Sequence, residues 1–388
     1  MNNKFTRSLH ISKTEKESFF LWGPRKTGKT SLLKSLFPDA VNYDLLKTDV
    51  YAKLIRSPHL LREELLPISE PQLVILDEVQ KVPALLDEVH WLIENTEHRF
   101  ALCGSIPRKL KRGHANLLGG RAFRYELQGL VWPEMGAAFD LIRLLNHGYL
   151  PQHYLSEKPK KFLRSYVGDY LKEEIAAEGL VRNLPAFSEF LEMASFSDTE
   201  MVSYTSIARD CGVSGNTIKE YFSILVDTML GKWLPVYRKR PKRKISTSSK
   251  FYFSDVGVVS HLCKRGSIEY GSELMGKAFE NWVFHELDCH RMYSETYYDL
   301  SFWRLTSGIE VDFILGDMEV AIEVKSSNRV RSEHSKGLQQ LKVDHPEVKR
   351  CILVCLTDKK RQLDSGIEII PFSNFFDDLW AGKIMESD

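Results

Sequence analysis

The chain contains 388 residues, of which 53 are lysine or arginine and 52 are aspartate or glutamate, giving a formal net charge of +1 at pH 7. Its composition, 43% hydrophobic and 27% charged, excludes a disordered, collagen-like or disulfide-scaffold protein. No apolar run approaches the roughly 18 residues that span a bilayer, and the N-terminal segment holds no apolar signal-peptide core. We therefore expect a cytoplasmic protein of about two to four domains without a membrane partner.

The cysteines are scattered along the chain and form no CxxC pair. This pattern predicts buried thiols in a reducing compartment and argues against a zinc site or a disulfide frame. The residues concerned are Cys103, Cys211, Cys263, Cys289, Cys351 and Cys355.

Taken in chain order, the first third alternates short apolar segments with helical ones, which is typical of a parallel sheet wrapped by helices. The predicted fold class is therefore α/β, beginning with a five-stranded parallel sheet. Helices are predicted at residues 30–37 and 85–95. The strands are predicted at residues 19–22, 41–44, 73–77, 100–104 and 124–130.

The rest of the chain divides into a helical and a mixed region. Helical periodicity dominates from about residue 141 to 236, and residues 238–250 are basic and then polar, as in an exposed hairpin or linker. Beyond them β signals return, beginning with FYFSDVGVV at 251–259, and helices are predicted at 276–289 and 335–343. We therefore predict domains at residues 1–140, 141–250 and 251–388.

The most specific motif is GPRKTGKT, which fits the P-loop pattern GxxxxGK[ST] and lies between a predicted strand and a predicted helix. In such a loop the glycines let backbone N–H groups point at phosphate oxygens, the lysine reaches the β- and γ-phosphates, and the last hydroxyl ligates Mg²⁺. The alternative is a chance glycine and lysine loop. We expect ATP to be bound by Gly23, Pro24, Arg25, Lys26, Thr27, Gly28, Lys29, Thr30 and Ser31.

Further polar residues at strand ends extend this site. Asp77 would hold the Mg²⁺ directly or through water, and Glu78 would polarise the attacking water. Ser105 is placed either to hydrogen-bond the γ-phosphate or the water, or simply to cap a strand. Arg121 is a candidate for the arginine that a neighbouring subunit supplies to the γ-phosphate, with a solvated basic loop as the alternative. With Lys29, the residues Glu78, Ser105 and Arg121 form the predicted catalytic set of the ATP site, and Thr30 and Asp77 are its predicted metal ligands.

These motifs resemble a known family. The runs GPRKTGKT, LVILDEVQKVPALLDEVHWLIE and CGSIPRKLKRGHANLLGGRA, with the later SSKFYFSDVGVV, look like those of the AAA+ class P-loop ATPases of bacteria and archaea. More narrowly, they resemble the members whose C-terminal half is known only as a domain of unknown function. The resemblance implies ATP hydrolysis with Mg²⁺ and assembly into a homo-oligomer.

The segment from Thr205 to Leu230 reads as helix, tight turn, helix, with an apolar stripe on the second helix. A strand and a basic run follow, so a winged helix is predicted at about residues 200–245. A structural spacer, a protein-docking unit and a solvated charge run are the alternatives. A DNA or RNA partner is favoured by the basic run Arg238, Lys239, Arg240, Lys242, Arg243 and Lys244.

The last third places charged residues on two predicted strands. Side chains alternate along a strand, so Glu310 and Asp312 share one face, as do Glu323 and Lys325. If the strands are neighbours, these groups converge, and their carboxylates suit Mg²⁺ or Mn²⁺. The lysine could orient or deprotonate an attacking water. Alternating charge on a half-exposed strand produces the same pattern.

The element order and the D…ExK pattern resemble the PD-(D/E)xK nuclease superfamily, which implies a restriction-endonuclease-like α/β domain. The metal ligands that the resemblance implies are Asp312 and Glu323, with Glu280 as the acid on the preceding helix. Lys325 would be the partner of the catalytic base. The later helix would supply a polar residue, either Gln339 or Gln340.

The leading hypothesis is an Mg²⁺-dependent AAA+ ATPase whose nucleotide state drives a winged-helix and nuclease-like half that acts on nucleic acid. One alternative is an ATP-controlled switch or docking protein without nuclease activity. Another is a DNA-binding regulator that does not cut. The three hypotheses share the ATP site and differ in the role of the C-terminal half.

Overall fold

A computed structural model of the chain describes residues 5–105, 118–168, 181, 183–238, 249–264 and 266–385. The chain forms two compact units, and each is described by itself. The first is Met1–Gly129 with Ser223–Leu230, and the second is Leu130–Phe222 with Gly231–Asp388. Within the ranges just given, no helix is both long enough and apolar enough to cross a membrane.

The first unit is built on a five-stranded parallel sheet, as the sequence predicts. Its order is β2-β3-β4-β1-β5. The predicted position of the fifth strand, 124–130, is too late, because its pairing with the first strand ends where Trp22 lies opposite Glu126. The strands are β1 (Ser18–Trp22), β2 (Val41–Asp44), β3 (Leu73–Asp77), β4 (Arg99–Gly104) and β5 (Ala122–Glu126).

Amphipathic helices connect these strands. One of them, Leu85–Asn95, buries Leu85, Leu86, Val89 and Leu92, at the spacing of one helix face. β1 is buried along its whole length, as expected for a strand covered on both faces. All six cysteines of the chain are buried thiols outside any disulfide, as predicted. The helices are α1 (Lys29–Leu36), α2 (Thr48–Arg56), α3 (Leu60–Leu65) and α4 (Leu85–Asn95).

The middle of the chain is helical, in agreement with its predicted periodicity. The last two helices of this region have the helix–turn–helix connectivity expected from the sequence, with Gly212 at φ 63° between them. In chain order the helices are α5 (Trp132–Met135), α6 (Leu141–His147), α7 (Pro151–Leu155), α8 (Pro159–Ser165), α9 (Leu184–Phe196), α10 (Tyr204–Asp210) and α11 (Gly215–Asp227).

In the second unit, an aromatic ring on α11 packs against a short antiparallel strand pair, β6 (Gly231–Leu234) and β7 (Lys250–Phe253). The ring of Phe222 lies 5.0 Å from that of Trp233 and 4.8 Å from that of Phe251, between centroids. Such contacts stabilise beyond the burial of apolar area alone.

The strand predicted at 251–259 is partly wrong, because β7 ends at Phe253 and a helix, α12 (Val256–Leu262), follows. The physical reason is a cap that the apolar pattern hides. The Asp255 carboxylate accepts a hydrogen bond from Val258 N at 3.0 Å, which satisfies a free N–H group of the first helical turn.

A six-stranded sheet in the order β12-β13-β11-β10-β9-β8 forms the C-terminal part of the second unit. The element order matches the prediction, with helices somewhat longer than or shifted from the predicted ranges. The strands are β8 (Leu300–Arg304), β9 (Glu310–Leu315), β10 (Val320–Lys325), β11 (Arg350–Cys355), β12 (Arg361–Gln362) and β13 (Glu368–Pro371), and the helices are α13 (Glu273–Tyr293), α14 (Lys336–Asp344) and α15 (Phe372–Trp380).

Helix α13 buries a carboxylate among tryptophan residues. Glu286 is fully buried. Its Oε1 accepts hydrogen bonds from Trp132 N (2.8 Å) and Trp282 Nε1 (3.0 Å), and its Oε2 accepts one from Trp380 Nε1 (2.8 Å). Burial raises the pKa of Glu286 to about 8, although these donors favour the charged form.

We predict that Glu286 makes the folded state less stable as the pH rises towards 8. Its pKa is about 8 in the folded protein and about 4.3 in an unfolded chain. Between these values the folded state keeps a proton that the unfolded state has lost, so the free energy of unfolding falls as the pH rises. The substitution Glu286→Gln should flatten this pH dependence. At about 1.4 kcal/mol per pKa unit, the loss in free energy of unfolding across this pH window should shrink by up to a few kcal/mol.

Urea unfolding at several pH values within that window measures the slope. Asp255, Glu280 and Glu323, whose pKa values are also raised, contribute in the same direction and remain in the variant. The matched control is Glu273→Gln at an exposed position of α13, which should keep the wild-type slope. Equal slopes for wild type and Glu286→Gln would contradict the prediction.

Candidate functional site

The loop between β1 and α1 requires glycine where it begins and where it ends. Gly28 has φ 95°, in the left-handed region that favours a residue without a Cβ atom. A Cβ atom on Gly23 would lie 2.1 Å from the carbonyl oxygen of Leu127, and Leu127 N in turn donates to Trp22 O at 2.8 Å. The loop therefore starts in close contact with the segment that follows β5, which only glycine permits at position 23.

Lys29 is buried, with 7% of its surface exposed. Its Nζ donates to Gly23 O at 2.8 Å and to Pro24 O at 2.9 Å, two carbonyl groups of the same loop. Burial lowers the pKa of Lys29, and the neighbouring acidic groups offset this only in part. The ammonium group therefore lies inside the loop, held by neutral acceptors.

Thr30 and Asp77 come together at the carboxyl end of β3. Thr30 Oγ1 donates to Asp77 Oδ2 at 2.7 Å. The other oxygen, Asp77 Oδ1, is buried and has no hydrogen-bond partner among the residues that the structure describes. A hydroxyl and a carboxylate with a free oxygen are the hard ligands that Mg²⁺ prefers, so these two residues fit an Mg²⁺ ion.

Glu78 is joined to Ser105 through a glutamine that the sequence analysis did not single out. The Gln80 side-chain amide donates to the Glu78 carboxylate and lies 3.4 Å from Ser105 Oγ. Glu78 has φ 61°, a strained conformation for a residue with a side chain. The sequence signal was slight, since a glutamine two residues after an acid has no fixed meaning.

The remaining loop residues form further contacts within the first unit. Thr27 Oγ1 donates to Pro24 O at 2.9 Å. The Arg7 guanidinium group donates to Thr27 O and, at 2.7 Å, to Gln128 O. Arg7 therefore links the loop to the segment after β5. The sequence did not indicate this role, because Arg7 is far from both partners along the chain. Arg25 is half-buried, and Lys26 and Ser31 are exposed.

Arg121 lies at the start of the segment that leads into β5. Its guanidinium group forms an ion pair with Glu94 on α4, and both side chains are exposed. Within one chain its partner is therefore an acid of the same unit, and its action on a neighbouring subunit stays a prediction.

In the second unit, β9 and β10 are antiparallel neighbours and bring the predicted charged residues together. Asp312 and Glu323 are 5% and 7% exposed. Asp312 Oδ2 accepts a hydrogen bond from Val324 N at 2.8 Å, and Lys325 Nζ donates to Glu323 Oε1 at 2.6 Å. Glu323 Oε2 is buried without a hydrogen-bond partner in the described part of the chain.

A lysine that the sequence analysis did not single out lies among these acids. Lys250 is 3% exposed, and its Nζ lies 3.1 Å from Glu280 Oε1, 3.1 Å from Glu310 Oε1 and 3.7 Å from Asp312 Oδ1. Tyr252 Oη also donates to Glu280 Oε1, at 2.7 Å. We call Glu280, Glu310, Asp312 and Glu323 the carboxylate cluster.

Burial and neighbouring charges shift the pKa values of the groups in and around the carboxylate cluster. Burial raises the pKa of Glu280 to about 7 and that of Glu323 to about 8. Burial also opposes the charge of Lys250, but the surrounding carboxylates outweigh it and raise the pKa of Lys250 above its ordinary value. The pKa of Lys325 is raised in the same way by Asp312 and Glu323. Both lysines are therefore charged at neutral pH.

The cluster does not fit a divalent metal ion as it stands. Among the described residues, no group of three or more histidine, cysteine, aspartate or glutamate side chains is arranged to hold one. The cation near Glu280, Glu310 and Asp312 is the Lys250 ammonium group. On α14, Gln339 donates to Ser335 and Gln340 to Asp344. The metal roles of Glu280, Asp312 and Glu323 and the catalytic role of Lys325 stay predictions.

The basic run lies largely outside the described residues. Arg238 is described and exposed. The other members lie in the range 239–248, of which the structure gives no description: Lys239, Arg240, Lys242, Arg243 and Lys244.

Family models match consecutive segments of the chain. Residues 15–136 match an AAA domain, residues 138–269 match a domain of unknown function (DUF8612), and residues 275–375 match another domain of unknown function (DUF4143). No curated protein matches the chain.

Among solved structures, the ORC1 protein of Aeropyrum pernix in complex with DNA is similar at 12% identity, over 64% of this chain and 86% of that one, with a TM-score of 0.24. A likeness at this score carries no argument about ligands or partners. The match to the AAA domain covers the P-loop and the β3 acids described above. The first third of the chain therefore resembles an AAA-type P-loop domain, in its sequence match and in its five-stranded parallel sheet.

Proposed function

We propose that the protein binds and hydrolyses ATP with Mg²⁺ at the loop between β1 and α1. The observation that carries this proposal is the Thr30–Asp77 pair, whose free oxygen, Asp77 Oδ1, is buried without a partner among the described residues. A buried polar atom left unsatisfied is unfavourable, and a bound cation would remove that penalty. The pair lies at the carboxyl end of a parallel strand, where open α/β sheets bind their ligands.

The residues of the loop have distinct roles in this proposal. Lys29 exchanges its two carbonyl acceptors for phosphate oxygens, because an anion is a stronger acceptor for an ammonium group. Bound Mg²⁺, held by Thr30 and Asp77, would supply further neutralisation of phosphate charge. Glu78 orients the attacking water and accepts its proton. Gln80 fixes the Glu78 carboxylate through its amide.

We further propose that the second unit binds nucleic acid and that the nucleotide state controls this binding. Support comes from the basic run that starts at Arg238 and from the helix–turn–helix connectivity of α10 and α11. Clustered lysine and arginine residues bind phosphate backbones without regard to sequence.

A specific observation favours a second candidate function, an ATP-controlled switch or docking protein without nuclease activity. Cleavage at the C-terminal site would require a divalent cation between Asp312 and Glu323, and the cation beside Asp312 in the structure is Lys250. The alternative of a DNA-binding regulator that does not cut agrees with the same observation.

The substitutions Lys29→Ala and Glu78→Gln should separate nucleotide binding from hydrolysis. Lys29→Ala removes the phosphate contact and should weaken binding of a fluorescent ATP analogue by at least about tenfold. Glu78→Gln should retain binding and lower kcat by about 100-fold or more, the usual contribution of a positioned base. Lys34→Ala, at an exposed position of α1, should behave as wild type. Normal ATP turnover in Glu78→Gln would contradict the assigned role.

Gln80→Leu should lower kcat by about tenfold and leave the affinity for ATP unchanged. The leucine side chain has a similar size but cannot donate to the Glu78 carboxylate, and loss of such a supporting contact costs about 10- to 100-fold at comparable sites. The double variant Glu78→Gln/Gln80→Leu should be no slower than Glu78→Gln, because the two residues act together. Additive losses in kcat would show that Gln80 acts independently of Glu78.

Neutralising the basic run with glutamine should weaken binding of labelled DNA and reduce its salt dependence. Six lost phosphate contacts would lower the slope of log K against log salt by up to about 5. Fluorescence anisotropy between about 50 and 200 mM salt measures this slope. The matched control neutralises Lys158, Lys160 and Lys161, which are exposed. An unchanged slope in the first variant would argue against contact between the run and nucleic acid.

A further inference from the structure

A single ammonium group joins separate elements of the second unit. Lys250 Nζ on β7 lies 3.1 Å from Glu280 on α13, 3.1 Å from Glu310 on β9 and 3.7 Å from Asp312 on the same strand. An ammonium group carries three donor protons and no acceptor, and three carboxylates surround this one. Because only 3% of its surface is exposed, Lys250 has little contact with water, and its charge is balanced by these carboxylates.

Each member of the carboxylate cluster also has a partner of its own, so the cluster is an ion network and not a set of free ligands. Within the cluster, Glu323 Oε2 is the oxygen that is buried without a hydrogen-bond partner among the described residues. The partners are Arg304 for Glu310, Tyr252 for Glu280, the Val324 N–H group for Asp312 and Lys325 for Glu323.

We propose that the Lys250 ammonium group is the resident cation of the carboxylate cluster and that it excludes a divalent cation from Glu280 and Asp312. Mg²⁺ binds carboxylate oxygens at about 2.0–2.1 Å. An ion that binds both residues has to enter the space between the oxygens that Lys250 contacts. Two cations in that space repel one another strongly, because little water is present to screen them.

The exclusion changes the role of the ExK lysine as well. Lys325 Nζ donates to Glu323 Oε1 at 2.6 Å, so its ammonium group already has an acceptor within the chain. With Lys250 in place, the cluster has the charges of a metal site but its cation is part of the chain. Lys250 is not part of the ATP site, and its position among these acids agrees with the second candidate function, a switch or docking protein without nuclease activity.

Mn²⁺ binding by the full-length protein tests the proposal, with electron paramagnetic resonance as the readout of free and bound ion. Every sample carries Asp77→Asn and no nucleotide, so that the first unit contributes no binding and a failure of the proposed ATPase does not affect the result. The protein with Lys250 intact should bind no Mn²⁺ at the cluster. Lys250→Met, which keeps the chain length of the side chain and removes its charge, should gain one site.

That gained site should bind Mn²⁺ at least about tenfold more tightly than any residual site, a change typical of metal-site residues. Adding Asp312→Asn should abolish it. The matched control is Lys232→Met, which removes another lysine paired with a buried carboxylate, Asp288, and should gain no site. Binding of Mn²⁺ at Asp312 with Lys250 intact would overturn the proposal, as would a folded Lys250→Met protein that gains no site.

Loss of Lys250 leaves buried carboxylates unpaired, so the single variant has a risk of not folding. Lys250→Met/Glu310→Gln removes one positive and one negative charge together and keeps Glu280, Asp312 and Glu323. It should fold and gain the same Mn²⁺ site. Thermal unfolding of the protein with Lys250 intact gives a second measure, since its Tm should not change with Mn²⁺. If Mn²⁺ raised this Tm and Asp312→Asn abolished the increase, the proposal would be overturned. This test requires no substitution of Lys250.

Discussion

Both candidate sites depend on the hydrogen-bond partners of a buried lysine ammonium group. Lys29 and Lys250 are 7% and 3% exposed, and a buried ammonium group without compensation is strongly unfavourable. The two lysines meet this constraint with different partners. Lys29 donates to two backbone carbonyl oxygens of its own loop, whereas Lys250 lies among carboxylates from α13 and β9.

The partners decide what each lysine can do next. Burial outweighs the acidic groups near Lys29 and lowers its pKa, so the charged form gains if an anion arrives. The carboxylates around Lys250 outweigh burial and raise its pKa, so this lysine gains nothing from a further ligand. The first unit is therefore arranged to accept a phosphate, while the ions of the second are already matched within the chain.

The parts of this structure that the sequence predicts are those set by neighbouring residues. The strands at 41–44 and 73–77 and the helix at 85–95 follow from local periodicity, and the loop around Lys29 follows from a contiguous motif. Lys250 and Gln80 escaped prediction because their meaning comes from partners elsewhere, Lys250 being 30 residues from Glu280 along the chain. The end of β7 was missed because the cap by Asp255 is a hydrogen bond, which an apolar pattern does not contain.

The net charge of the whole chain says little about its partners when many of its charges are paired within a unit. The net charge of +1 includes Lys250, Lys325 and Arg304, whose charges are matched by carboxylates they contact. A charge that is paired inside a unit contributes little to the field that a distant polyanion experiences, because the opposite charge lies within a few ångströms. The basic run from Arg238 is therefore a better guide to a nucleic-acid partner than the whole-chain balance. The D…ExK pattern has the same limit, since Lys250, a charged side chain outside the pattern, lies beside Asp312 and takes part in deciding whether the acids hold a metal ion.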